Sequence, residues 1–146
     1  IKSFAFIPFN GILPLLHEGQ LKGRFTNPNF PSYYGNYDRC SLLIEAPHGH
    51  HIYLQFRSFS LESGGAHCPY DYVEIFDGNS ILSFKITRAC GPQQNAPCDI
   101  YSSGRFLYVK FSSDGSGQFP GFSAYYYARQ TVRELISLKQ RLFFKK

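Results

Sequence analysis

The chain's 146 residues leave room for one domain with a sizeable core. Its net charge of +5 is concentrated at one end: residues 1–128 hold nine Lys/Arg and nine Asp/Glu, while residues 129–146 hold six basic residues against Glu134 alone. A neutral body with a basic tail is a poor surface for nucleic acid, which needs cations spread over a folded face, and no apolar run approaches the roughly 20 residues that span a bilayer. In chain order, Lys2 is followed by an apolar stretch to Leu16, interrupted by Asn10 and two prolines, with no small-residue cleavage site after it. Residues 1–16 therefore read as an N-terminal extension, a linker or signal remnant, of a domain cut from a longer polypeptide. Residues 26–37 (T-N-P-N-F-P-S-Y-Y-G-N-Y) carry too much Pro and Asn for a central strand and read as an ordered loop over the fold. Residues 51–56, 72–76 and 105–111 alternate large apolar with polar or Tyr residues at period 2, and 81–86 and 121–127 are looser versions. Turn chemistry separates them, as in Ser63-Gly-Gly, Asp77-Gly-Asn, Cys90-Gly-Pro and Asp114-Gly-Ser-Gly. Short strands at this spacing, with no helical period before residue 130, predict an antiparallel β-sandwich. In the tail, 129–146, Val132, Leu135, Ile136, Leu142 and Phe143 keep rough helical spacing with Lys139 in the stripe. A basic amphipathic helix of this kind could touch an anionic membrane; the plainer reading is a linker into a further domain or a non-native end.

The chemistry lies in the turns. Leu61 to Gly78 (L-E-S-G-G-A-H-C-P-Y-D-Y-V-E-I-F-D-G) sets Glu62 and Asp71 on either side of a Gly-rich turn and Cys68, and Asp114 occupies a similar turn. Brought together, the three carboxylates make an oxygen-rich cage for a hard cation, an adhesive site and not a catalytic one. As ordinary solvated loop acids they would do nothing. Glu62 with Asp71 as a glycosidase pair lacks any sign of a sugar-sized cleft. His48-Gly-His50-His51 reads as a solvated turn, because neighbouring strand residues point to opposite faces. His67 beside Cys68 would be a base for a thiolate only if Cys68 were free. No G-x-S-x-G, H-E-x-x-H or P-loop pattern occurs, so the domain reads as no enzyme in its own right.

The ordered run G-R-F-T-N-P-N-F-P-S-Y-Y, C-S-L-L-I-E-A-P-H-G-H-H-I-Y-L-Q-F, F-S-L-E, C-P-Y-D-Y-V-E-I-F-D-G, A-C-G, S-S-G-R-F-L-Y-V-K-F-S-S-D-G-S and G-F-S-A-Y-Y resembles a CUB domain, over about residues 17–128. The resemblance implies a jelly-roll-like sandwich of two antiparallel sheets in a secreted protein or the extracellular part of a membrane protein. It also implies a bridge between Cys68 and Cys90, whose loop of about 22 residues would be worth about 3 kcal/mol. Cys40 matches half of the family's first bridge, but His17 stands where its partner would be, and Cys98 is an extra. A Cys40–Cys98 bridge, free thiols and a partner elsewhere all stay open. Leu42 replaces the family's Trp.

Carried over position by position, Glu62, Asp71 and Asp114 match the acidic ligands of calcium-binding CUB domains, and Ser116 a carbonyl or hydroxyl ligand. Tyr34 matches a tyrosine whose hydroxyl steadies the glutamate. Gly117, beside Ser116, offers no side-chain oxygen, and the Ser63-Gly64-Gly65 loop is the element that could hold Glu62 out of reach. The expected function is calcium-dependent recognition of an extracellular protein, with Glu62 and Asp114 receiving a partner's Lys or Arg. The alternatives are a calcium-independent carbohydrate- or lipid-binding CUB, as in spermadhesin-like proteins, or a non-catalytic part of a larger extracellular protease.

Overall fold

A computed structural model describes residues 2–5, 11–12 and 21–143. Among these described residues, ten strands form two five-stranded sheets. The first has the order β1 (Lys2–Ala5), β3 (Lys22–Thr26), β10 (Gly121–Gln130), β5 (His50–Ser60), β8 (Ile100–Tyr101). The second has the order β2 (Gly11–Ile12), β4 (Arg39–Glu45), β9 (Phe106–Ser112), β6 (Tyr72–Asp77), β7 (Phe84–Ala89). Every pairing among β3–β10 is antiparallel, as expected. The two short strands from residues 1–16 join the sheet edges in parallel, β1 beside β3 and β2 beside β4. Part of the expected extension thus belongs to the sheets, while His17 lies outside the described residues.

Period-2 patterning explains why these segments pair as they do. Along β9, Leu107, Val109 and Phe111 are fully buried while their neighbours are half-exposed, so the strand has one core face and one solvent face. Along β10 the buried apolar side chains are Phe122, Ala124, Tyr126 and Ala128, and Gly121 and Ser123 are buried as well. In the core the rings meet edge to face: Phe122 lies 6.2 Å from Phe25 and 5.7 Å from Phe56 of its own sheet, and 5.7 Å from Phe111 of the second sheet. Each such ring, fully buried, contributes about 1.5–3 kcal/mol. Leu42 is buried in the same core, so the smaller residue still fills its position. Gly23 sits against the Tyr126 ring, where a Cβ would collide with it.

Three strands escape the sequence pattern. β3 is short and contains that glycine, β4 (R-C-S-L-L-I-E) buries three consecutive residues and so breaks alternation, and β8 has two residues. The strand expected over 81–86 runs instead from Phe84 to Ala89. Local polar bonds decide this: the Ser80 hydroxyl accepts from Leu82 N (3.2 Å) and the Ser80 carbonyl from Ser83 N (3.1 Å), a serine turn that outcompetes ladder bonds. Ile81 and Leu82 are left exposed.

The loop expected over 26–37 spans residues 27–38, because Thr26 is the last residue of β3 and β4 starts at Arg39. Asn27, buried, accepts from Phe122 N (2.6 Å) and donates to the Pro28 carbonyl (2.9 Å). The tail forms α1 (Val132–Phe143), on which Val132, Ile136, Leu142 and Phe143 are exposed.

Candidate metal centre

Three strand ends deliver the three acids to one place. Glu62 follows β5 by two residues, Asp71 immediately precedes β6, and Asp114 follows β9 by two. Leu61, fully buried, donates its N–H to the Gly91 carbonyl at 2.9 Å and so fixes the chain just before Glu62. The three carboxylates each bring an oxygen within 4.8 Å of the others. Asp71 is fully buried, Glu62 and Asp114 partly so.

Tyr34, itself buried, is the post around which the acids are arranged. Its hydroxyl donates to Asp71 Oδ2 at 2.5 Å and accepts from Glu62 N at 3.2 Å. It therefore steadies Glu62 through the backbone and reaches the carboxylate of Asp71. Asp71 Oδ1 accepts from Asp114 N at 2.7 Å, so one carboxylate spans the loop after β9 and the loop that carries Tyr34. These loops are tied by further bonds: Ser113 Oγ donates to the Gly35 carbonyl (2.7 Å) and accepts from Asp38 N (2.9 Å), and Tyr34 N donates to the Phe119 carbonyl (3.0 Å). Ser116 enters the cluster through its backbone N–H, which donates to Asp114 Oδ1 at 3.1 Å. The neighbouring Gly117 carbonyl lies 3.4 Å from the Tyr34 hydroxyl.

Gly117 turns out to be a requirement. Its φ is +74°, and a Cβ there would fall on the Glu62 carboxylate. Only glycine meets both conditions cheaply. The Ser63-Gly64-Gly65 loop folds back and does not carry Glu62 away. Gly65 (φ 73°) opens a single 3-10 turn, Gly65–His67, and Cys68 follows in the left-handed region (φ 46°). Gly64 sits where a Cβ would be 2.6 Å from Pro69. Cys68 is bridged to Cys90, and its carbonyl accepts from Arg88 Nε (3.1 Å) and Nη2 (2.8 Å).

The electrostatics are those of crowded like charges. The Glu62 carboxyl is held above its ordinary range by burial first, then by the nearby Asp114 and Asp71. Asp71 is raised by burial, against the lowering effect of the bonds from Tyr34 and Asp114 N–H. The Tyr34 hydroxyl is pushed up by burial and by its bond to Asp71, so it stays a donor. Glu62 Oε2 is buried with no hydrogen-bond partner, and no Lys, Arg or His pairs with any of the three acids among the described residues. An all-oxygen donor set with a buried, unanswered carboxylate oxygen fits a hard cation such as Ca²⁺, which accepts irregular oxygen cages.

The remaining candidates fall outside this cluster. His48 lies in the turn before β5, with Nε2 3.2 Å from Arg105 Nη1, and His50 Nδ1 is 3.0 Å from the His48 carbonyl. His67 is exposed beside a bridged cysteine. Cys40 is buried on β4, where burial and Asp38 push its thiol up to about 12, and Cys98 is exposed; they form no bridge with each other.

An acid-lined loop end on a two-sheet sandwich defines the class, and comparison with known proteins gives the family. The family model for the CUB domain matches residues 18–126, so the chain belongs to the CUB domain family. It is 45% identical over 104 residues to Cubilin of Sus scrofa, covering 70% of this chain and 3% of that protein. It is 37% identical over 122 residues to Bone morphogenetic protein 1 of Xenopus laevis, covering 82% and 17%. The solved MASP-1 CUB2 domain bound to Ca²⁺ superposes with a TM-score of 0.65 at 30% identity, covering 77% of this chain and 96% of that one. The chain spans 17% or less of these two curated relatives. CUB domains are non-catalytic modules of extracellular proteins, and this domain is extracellular, in a secreted protein or the outer part of a membrane protein. No helix among the described residues is long and apolar enough to cross a membrane.

Proposed function

We propose that this domain is a calcium-dependent recognition module of an extracellular protein. Glu62, Asp71 and Asp114 hold the ion, a backbone or hydroxyl oxygen of Ser116 adds to the set, and Tyr34 keeps two of the acids in place. The observation that carries this reading is the convergence of three carboxylates within 4.8 Å with a buried Glu62 oxygen that has no hydrogen-bond partner among the described residues. The solved relative with bound Ca²⁺ supports it.

Three carboxylates around a divalent ion leave one formal negative charge at the rim of the loops. Glu62 and Asp114, the two that are partly exposed, present that charge to a Lys or Arg of a partner protein. The ion supplies electrostatic cohesion, and the chain's own bonds do the positioning. Asp71 stays buried between Tyr34 and Asp114, while Gly117 keeps space beside Glu62. Because the loops are ordered beforehand, their ordering entropy is not lost when the partner docks. We place the recognition unit at residues 17–128, with 1–16 and 129–146 as flanking segments, and read no catalysis into the domain itself.

The test is an array of extracellular proteins probed with the domain in calcium and again in EDTA, with each captured protein re-probed after lysine acetylation. Capture that needs calcium, falls with Asp114→Ala and falls on acetylation supports the reading. Capture with full affinity in EDTA contradicts it.

A further inference from the structure

Two Asp-Gly steps occur in the chain, Asp77-Gly78 and Asp114-Gly115, and the fold treats them differently. Such a step is chemically labile, because glycine has no Cβ to shield its nitrogen from the carboxyl group of the residue before it. Close packing explains why both positions are glycine. A Cβ at Gly78 would fall on the Ser83 side chain, and one at Gly115 on the Tyr37 hydroxyl.

Three groups decide whether the step reacts: the carboxyl carbon, the glycine nitrogen and the backbone carbonyl between them. At Asp77 the first two are engaged elsewhere. Asp77 Oδ1 accepts from Ser103 N (2.9 Å), which turns the carboxylate toward a loop 26 residues away, and Gly78 N donates to the Phe76 carbonyl (3.1 Å). At Asp114 all three are arranged for attack. Asp114 Oδ1 accepts from Ser116 N at 3.1 Å, so its carboxyl group is folded forward along its own chain, beside the Asp114–Gly115 peptide. The Gly115 N–H meets no hydrogen-bond acceptor among the described residues. Tyr37 N donates to the Asp114 carbonyl at 2.9 Å, and drawing electrons onto that oxygen makes the Gly115 N–H easier to deprotonate. Gly115, Ser116 and Gly117 are exposed, so water reaches the turn.

We infer that Asp114-Gly115 is a self-modification site, at which the ion-free domain converts Asp114 to isoaspartate. The Gly115 nitrogen loses its proton and bonds to the Asp114 carboxyl carbon; one C–O bond of the carboxyl group breaks and that oxygen leaves as water. Water then opens the cyclic succinimide. Cleavage at the former side-chain carbonyl restores aspartate, and cleavage at the former backbone carbonyl gives isoaspartate. One water is released and one consumed, so the mass of the chain is unchanged. In isoaspartate the backbone runs through the old side chain, which lengthens it by one carbon and shortens the arm of the carboxylate by one. The consequence for binding rests on the calcium reading. A longer turn displaces Gly117 from its fit beside the Glu62 carboxylate, and the shortened carboxylate leaves the cluster. Asp114 oxygens that hold an ion are not free to depart, so the loaded site is protected while ion-free copies lose it with age.

The experiment incubates the whole chain at neutral pH and body temperature in EDTA, in calcium, and in EDTA with unfolding urea. Isoaspartate is counted in the tryptic peptides 58–85 and 111–129, resolved by chromatography from aspartate forms of equal mass and located by fragmentation. In the folded chain in EDTA, Asp114 should isomerise at least tenfold faster than Asp77, and in urea the two rates should be alike. Asp114 reacting no faster than Asp77 in the folded chain, or a tenfold excess that persists in urea, would overturn the inference. Calcium should slow Asp114 at least tenfold and leave Asp77 unchanged. Selective reaction at Asp114 in EDTA that calcium does not slow would uphold this inference and contradict the calcium reading.

Discussion

Glu74 and Asp71 sit three residues apart and are both buried carboxylates, yet the protein treats them in opposite ways. Glu74, on β6, is paired with Lys85 of β7 and with Lys110 of β9 (3.8 Å), so the strands on either side supply its counter-charge. Asp71 receives the Tyr34 hydroxyl and the Asp114 N–H, and the nearest charged groups the structure brings to it are two more acids, Glu62 and Asp114. A buried charge must be compensated or neutralised. For Glu74 the compensation is part of the chain; for the loop cluster it has to come from solution. The first arrangement is therefore indifferent to ions and the second is expected to depend on them.

The largest expected effect comes from removing Asp71. Asp71→Ala strands the Tyr34 hydroxyl and Asp114 N–H in a buried place, at about 1–3 kcal/mol for each group left unsatisfied, and it abolishes calcium uptake. Urea unfolding with and without calcium measures both losses together. Next is Gly117→Ala, which forces a left-handed alanine against the Glu62 carboxylate. It should cost about 1–3 kcal/mol and weaken calcium binding at least tenfold, and a variant as stable and as tight as the unaltered chain would dissolve the role given to that turn. Glu74→Gln belongs to the other side of the comparison. It should change stability by no more than about 1 kcal/mol, because its lysines are partly exposed, and leave calcium affinity untouched.

The pH response sharpens the contrast further. Glu62 and Asp71 have folded-state pKa values raised above their ordinary ones. Without calcium, the folded state therefore binds protons more tightly than the unfolded one. Stability should rise as pH falls from neutral toward 4.5, the ordinary Glu value, and fall as pH rises through the raised values. With calcium bound the dependence should reverse over the same window, since protons compete with the ion for the same oxygens. Parallel melting curves across pH in EDTA and in calcium read this directly, and Glu62→Gln should flatten both.

How much of this was written in the sequence depends on distance along the chain. The sandwich was legible because β5, β6, β9 and β10 carry their alternation locally. The acid cluster was legible because each carboxylate sits in a short turn motif, although the motifs themselves are far apart. β3 and β4 were not, because a glycine required by Tyr126 and a run of three buried residues hide their period. The raised carboxyls and the need for Gly117 come from crowding between loops that are distant along the chain, which no local pattern records.

The most direct test of the central claim is isothermal titration of Ca²⁺ into metal-free folded protein, alongside Asp114→Ala confirmed as folded by its melt in EDTA. The account predicts one calcium per domain, with the affinity reduced at least tenfold in Asp114→Ala and unchanged in Glu74→Gln. No calcium uptake by the folded chain, or uptake unaltered in Asp114→Ala, would contradict it.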